Sequence, residues 1–265
     1  MNVQTAIAEP ELLRREQDGV AWLTLNRPAA RNALSVGLMT ALDAALVAAA
    51  ADPAVHVVVI AGAGPAFCAG HDLREMRANP GRAANGALFT QCSDLMLRIV
   101  RLPKPVIARV HGVATAAGCQ LVASCDLAVA TEDARFATPG VNIGLFCSTP
   151  MVALSRAVGR KPAMEMLLTG DLIDAARARE LGLVNRVVPA AELDAATVAL
   201  AGQIASKSPL VLAIGKEAFY RQAEMELNAA YRYAAEVMTR NMLARDATEG
   251  IDAFLGKRTP QWTGC

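Results

Sequence analysis

The sequence has few aromatic residues, almost no net charge and no paired cysteines, and each shortage excludes a class of function. Phe, Trp and Tyr make up 4% of its 265 residues, too few for a platform on which bases stack. The formal net charge is +1, so neither nucleic acid nor an anionic membrane finds a strong electrostatic counterpart. No run of 18 apolar residues occurs, and a membrane-spanning helix needs about that many. The six cysteines, at 68, 92, 119, 125, 147 and 265, form no C-x-x-C pair, and the three histidines are scattered. Neither a bound metal nor a disulfide framework is expected from that spacing, and the thiols are expected to be reduced. The opening stretch MNVQTAIAEPELLRREQDG lacks the apolar centre of a secretory signal, and Glu9, Glu11 and Glu16 interrupt a transit-peptide pattern. A cytoplasmic location is the expectation.

What remains is an alanine-rich chain, 54% hydrophobic and 19% charged, long enough for a sizeable core. Its first half alternates strand-like and helix-like segments. VAWLTL at 20–25 stops at Asn26-Arg27-Pro28, and Ser35 is placed to cap a helix running to Asp52-Pro53. HVVVIA at 56–61 and PVIARV at 105–110 are continuous apolar runs of the kind covered on both faces. A helix is predicted from Asp72, another over 86–102, and further strands at 126–130 and 135–138. The alternation argues for a mostly parallel sheet with crossover helices. From about Pro150 the strands nearly vanish, apart from VNRVV at 184–188. The reading is an α/β core over 1–189 and a helical region over 190–265. Asn79-Pro80-Gly81 and Asn85-Gly86 predict a mobile loop region within 76–95.

Two places share one design, a buried strand entering a small-residue turn at a helix start. They are residues 61–70, followed by His71-Asp72, and residues 111–118, followed by Gln120. Helix starts leave N–H groups unpaired, and small side chains let a ligand reach them. Two such turns on neighbouring strands could aim two donors at one oxygen. Glycine and alanine in these places also serve plain helix–sheet packing, so both explanations stand. A dinucleotide fingerprint fails, because Phe67 occupies the place of its third glycine. No G-K-[ST] phosphate loop and no G-x-S-x-G elbow is present.

At this point the residues resemble a known family. Asn26-Arg-Pro28, Arg31-Asn-Ala-Leu34, Ala66-Phe-Cys-Ala-Gly-His-Asp-Leu73, Pro103-Lys-Pro105, His111-Gly112 and Ala116-Ala-Gly-Cys-Gln-Leu-Val-Ala-Ser-Cys-Asp126 are similar to the crotonase superfamily, the enoyl-CoA hydratase/isomerase family. Phe136-Ala-Thr-Pro139, Ile143-Gly144, Thr169-Gly170 and ARELGLV at 178–184 continue the likeness over nearly the whole chain. Within it, GLFCSTP at 144–150 most resembles the branch of enoyl-CoA hydratase domain-containing protein three.

The resemblance implies a crotonase-type α/β spiral of ββα units with a helical C-terminal trimerisation region, assembled as a homotrimer or a dimer of trimers. It implies acyl-CoA substrates, with coenzyme A entering as part of the substrate and no separate cofactor. Carried over by position, the oxyanion donors are the N–H groups of Ala69 and Ala117. Arg31, Ala33, Leu34, Ala69, Gly70, His71, Asp72 and Leu73 would line the CoA. Phe254 and Lys257 would reach a CoA, commonly a neighbour's.

The same resemblance exposes two departures. Hydratases of this kind carry one glutamate where this chain has Gln120, and a second, after the motif proline, where it has Gly140. An amide orients water but accepts no proton, and glycine supplies no side chain, so ordinary hydratase and isomerase chemistry is in doubt. The first expectation is an enzyme of lipid metabolism, of the lyase/isomerase type, with weak or altered hydration. A decarboxylase-like enzyme using His71 is the second, and a non-catalytic acyl-CoA binding or regulatory protein the third. Asp72 is read as a helix cap, Cys147 and Ser148 as pocket lining, His111 as structural and His56 as a surface residue. Glu75 and Asp94 are the nearest spare acids.

Overall fold

The computed structural model describes residues 9–265. The expectation about a leader falls partly on residues 1–8, which lie outside the described residues. Strand β1 (Leu12–Gln17) turns through Asp18-Gly19 into β2 (Val20–Leu25), its antiparallel partner. Ser35 then caps α1 (Val36–Ala51), its hydroxyl accepting from the Leu38 N–H at 3.0 Å. Strand β3 (Val57–Gly62), α2 (Leu73–Ala78) and α3 (Arg82–Arg101) lead to β4 (Val106–Val110). The short β5 (Val113–Thr115) precedes α4 (Ala117–Ser124), β6 (Leu127–Thr131) and β7 (Arg135–Ala137). After them come α5 (Pro150–Ala157), α6 (Arg160–Thr169), the two-residue β8 (Ile173–Asp174), α7 (Ala175–Glu180) and β9 (Arg186–Val188). Four helices close the chain: α8 (Leu193–Ala205), α9 (Pro209–Gln222), α10 (Leu227–Met242) and α11 (Arg245–Leu255).

The main sheet has the order β1-β2-β3-β4-β6-β9, parallel except for β1, and β5-β7-β8 form a second small sheet. Every residue of β3 is buried because both faces of the sheet are covered. Leu38, Leu42 and Leu46 of α1, with Leu95 and Ile99 of α3, pack on one face around Leu23, Val58 and Ile60. On the other, Leu193, Leu200 and Ala201 of α8 meet Trp22, Val57, Val59 and Ile107. This is the expected crotonase-type α/β architecture.

Residues 76–95 differ from the sequence reading. Only the turn at 79–81 interrupts regular helix, and α3 begins at Arg82, not at 86. A Cβ on Gly86 would meet nothing within 4 Å. Its position on an open helix face costs about 1 kcal/mol against alanine, a small penalty beside the burial of Leu88, Cys92, Leu95, Met96 and Ile99 further along.

A polar cluster anchors α9 to the core. Lys216 Nζ on α9 reaches Asp126 Oδ2 at 2.6 Å and the carbonyls of Ile99 and Lys104 at 2.9 and 3.0 Å. Tyr220 donates its hydroxyl to Asp126 Oδ1 at 2.9 Å, and the Val106 N–H donates to Oδ2 at 2.7 Å. Beyond that anchor, Leu227, Tyr231, Met238, Met242 and Leu243 of α10 and its end lie exposed. No described helix is by itself long and apolar enough to cross a membrane.

Candidate active site

The site forms where β3 and β4 end. Asn32, fully buried, ties the segment after β3 in place: its Nδ2 donates to the carbonyls of Ala63 and Ala66 at 2.8 and 2.7 Å, and its Oδ1 accepts the Arg27 N–H at 2.9 Å. Residues 68–72 then run between two others like a strand. On one side Leu34 donates to Gly70 O at 2.7 Å and Asp72 donates to Leu34 O at 3.1 Å. On the other, Cys68 donates to Val113 O and accepts from Thr115, at 3.1 and 3.0 Å.

This pairing decides which donors are free. Ala69, expected from the sequence as a donor to the ligand, is not: its N–H donates to Arg31 O at 3.0 Å. Gly70, at φ +99°, turns the chain after it, and the next N–H, that of His71, has no acceptor among the described residues. His71 forms a parallel bridge with Leu34 whose bonds use the N–H groups of Leu34 and Asp72, so its own N–H points away from Leu34. Ala117 differs from Ala69 in having its N–H unpaired among the described residues. It opens α4, and the first helical bond there is Gln120 N–H to Ala116 O at 3.0 Å, which leaves the earlier N–H groups unpaired.

The two turns meet closely. A Cβ built on Gly70 would lie 3.4 Å from Ala117 N and 2.9 Å from Ala116 Cβ. One on Gly118 would lie 2.1 Å from Cys68 O, so only glycine fits there. Ala116 holds φ +50°, ψ −118°, a conformation that costs a residue with a Cβ about 1–3 kcal/mol. Ala116→Gly should therefore raise stability by roughly 1 kcal/mol after the extra unfolded-state freedom of glycine. A thermal melt checks this, and a lower Tm would show that Ala116 carries no strain.

Asp72 acts as the expected cap of α2, accepting from the N–H groups of Arg74 and Glu75 at 3.0 and 3.3 Å, and it pairs with Arg27 at 2.9 Å. Burial works against its charge, but the Arg27 guanidinium and the two N–H groups outweigh it and hold the carboxyl below its usual range. Burial lowers the pKa of His71, which keeps the imidazole neutral at pH 7. Its Nε2 is buried without a partner, and its ring stands edge-on to Phe89 at 5.6 Å. His111 Nε2 sits 2.8 Å from Gly64 O, a structural link across the loop. His56 is half-buried, with Nδ1 3.1 Å from Ala205 O, so it packs at the end of α8 and is not a free surface residue.

Gln120 is 4% exposed, and its Oε1 lies 3.9 Å from Cys92 Sγ. It lines a cavity of about 1130 Å³ between α3, α4, α5 and α9. Gly140 is the second residue of a short 3-10 turn (Pro139–Ile143), and a Cβ there would lie 2.6 Å from Leu145 O and 2.9 Å from Cys147 Sγ. Segment 144–147 thus closes over the place a side chain would take. Burial pushes the thiols of Cys68, Cys92 and Cys119 up to about 12 and raises that of Cys147, so none is a thiolate at neutral pH. Glu75 accepts the Val36 N–H at 3.1 Å, and Asp94 is exposed and outside the cavity lining. Among the described residues no group of three His, Cys, Asp or Glu side chains is placed to hold a metal.

Segments 31–34 and 69–73, expected together from the sequence, are brought together by the Leu34–His71 bridge. Leu34 is fully buried and Ala33 nearly so, and what they offer a ligand is backbone; Arg31 and Leu73 are exposed. Within one chain Phe254 is 82% exposed, and neither it nor Lys257 lines the cavity. Sequence reading missed Asn32 as the loop staple and Cys92 as the neighbour of Gln120. The apolar spacing along α3 was the available signal for Cys92.

Residues 15–265 match the family model described as Enoyl-CoA hydratase/isomerase. The chain is 47% identical over 257 residues to the Mus musculus enoyl-CoA hydratase domain-containing protein 3, mitochondrial, covering 97% of this chain and 86% of that one. It is similar to a crystal structure of an enoyl-CoA hydratase from Mycobacterium smegmatis, with a TM-score of 0.94, 57% identity, and 96% and 99% of the two chains covered. The crystal structure of human enoyl Coenzyme A hydratase domain-containing protein 3 superposes with a TM-score of 0.92 at 47% identity, covering 95% of this chain and 100% of that one. These relatives agree with the branch suggested by residues 144–150. They also correct the expected cytoplasmic location, since the mouse, rat and human relatives are all named mitochondrial. Reduced thiols, on which that expectation leaned, fit any reducing compartment.

Proposed function

Because the chain belongs to the enoyl-CoA hydratase/isomerase family, we propose that it binds an acyl-CoA thioester and stabilises the enolate oxygen with the N–H groups of His71 and Ala117. The observation that carries this reading is the approach of two turns with unpaired donors, Gly70-His71 against Ala116-Ala117. Fixed N–H groups aimed at an oxygen that gains charge stabilise it without reorganising at the moment of reaction. Arg31, Ala33, Leu34 and residues 70–73 would hold the CoA. A homotrimer, or a dimer of trimers, would cover the exposed face of α10 and carry Phe254 and Lys257 toward a neighbour's CoA.

Gln120 then faces the reacting carbons with a carboxamide that positions water but takes no proton, and nothing projects from Gly140. Each missing general acid or base is worth roughly 10²–10⁴ in rate. Crotonyl-CoA should therefore bind yet be hydrated at least about 10²-fold more slowly than by a two-glutamate family member assayed beside it. Rapid hydration would sink this reading, and tight binding with no measurable turnover would favour the binding or regulatory alternative.

One observation favours a decarboxylase-like reaction, the unpartnered Nε2 of His71. Decarboxylation needs the oxyanion site and a group to hold the leaving carboxylate, but no strong base. A neutral imidazole can serve only by donating a hydrogen bond. CO2 release from methylmalonyl-CoA, lost in His71→Phe, would support it; its absence in the native protein would remove it.

A further inference from the structure

Resting on the acyl-CoA reading above, we infer that the cavity beyond Gln120 accepts an acyl group ending in a second carboxylate, which pairs with Arg101. One face of α3 lines this cavity from end to end, through Ser93, Met96, Leu97, Val100 and Arg101. The neighbouring Cys92 marks the level of Gln120. Arg101 is the last residue of the same helix. Along α3 the cavity thus runs for about two turns, from Ser93, next to the level of Gln120, to Arg101.

The charged groups that line the cavity do not balance, and Arg101 among them is exposed. Of the three arginines lining the cavity, Arg156 pairs with Glu224 at 3.0 Å and Arg221 with Glu217 at 2.8 Å. Arg101 makes no ion pair among the described residues. An acyl tail ending in a methyl group would leave that charge facing an apolar chain end, whereas a carboxylate would complement it. Guanidinium and carboxylate also match in shape, two N–H groups to two oxygens.

Length follows from the helix. Eight residues of α3 rise about 12 Å. Less the reach of the arginine itself, roughly four to six methylenes at about 1.3 Å each fill the gap beyond the third carbon. An eight-carbon dicarboxylic chain, joined to CoA at one end, has the right size.

The test compares suberyl-CoA with octanoyl-CoA, two saturated thioesters of equal length, by titration calorimetry at low salt. The native protein should bind suberyl-CoA about fivefold more tightly, the scale of a solvent-accessible ion pair. Arg101→Gln should erase that preference while leaving octanoyl-CoA binding unchanged, and Arg101→Lys should restore part of it. Equal binding of the two thioesters by the native protein, or a preference that survives Arg101→Gln, overturns the carboxylate subsite alone. Failure of both thioesters to bind overturns the acyl-CoA reading and the subsite with it.

Discussion

Gln120→Glu should raise crotonyl-CoA hydration by about 10²-fold, the lower end of what a single general acid or base contributes. The side chains are isosteric, and the proposed oxyanion donors are backbone N–H groups that the substitution leaves alone. The new carboxyl would be as buried as Gln120, which is 4% exposed, and burial favours the protonated form. Since only the carboxylate accepts a proton from water, the gained activity should increase as pH rises through that elevated pKa. No gain over the native protein anywhere between pH 6 and 9 would mean that position 120 does not face the reacting carbons.

Restoring the second glutamate is a different matter. A Cβ at 140 would press on Leu145 O at 2.6 Å and Cys147 Sγ at 2.9 Å, and the first of these is backbone. Gly140→Glu must displace segment 144–147, so it should lower stability and add no rate to Gln120→Glu. On the proposed reading, the two departures from the family pattern are therefore unequal. One is a change of a single functional group, whereas the other is built into the path of the chain.

Lys216→Met should cost about 3–5 kcal/mol, as when one partner of a buried ion pair is removed. Its side chain is 7% exposed and that of Asp126 16%. The lysine joins Asp126 to the carbonyls of Ile99, in the last turn of α3, and Lys104, in the segment after it. Methionine keeps the volume but leaves the carboxylate with only Tyr220 and the Val106 N–H. Because α9 forms one wall of the cavity, acyl-CoA affinity should fall together with the Tm. For a chain of this size the Tm should drop by roughly 6–15 °C. A drop under about 2 °C would show that the cluster is well solvated and adds little.

Much of the fold was legible because its signals are local. Buried runs such as HVVVIA at 56–61, the cap at Ser35 and the helical periodicity after Pro150 each lie within a few residues, and the structure places elements there. Strand β1 was not legible, since LLRREQ is mostly polar and becomes a strand only by pairing with β2. Asn85-Gly86 looked like a turn, and tertiary burial of the rest of α3 overrode it.

The candidate site divides in the same way. By itself the sequence determined the family, and it raised the question of the chemistry, because a glutamine at 120 and a glycine at 140 are matters of residue identity. Only the tertiary structure decided which N–H groups are free. Ala69 and His71 differ by two positions in the chain, but the first donates to Arg31 O and the second to no acceptor among the described residues. That choice depends on the strands either side of the loop and on the left-handed turn at Gly70. Such pairings join residues far apart in sequence, so no local pattern records them.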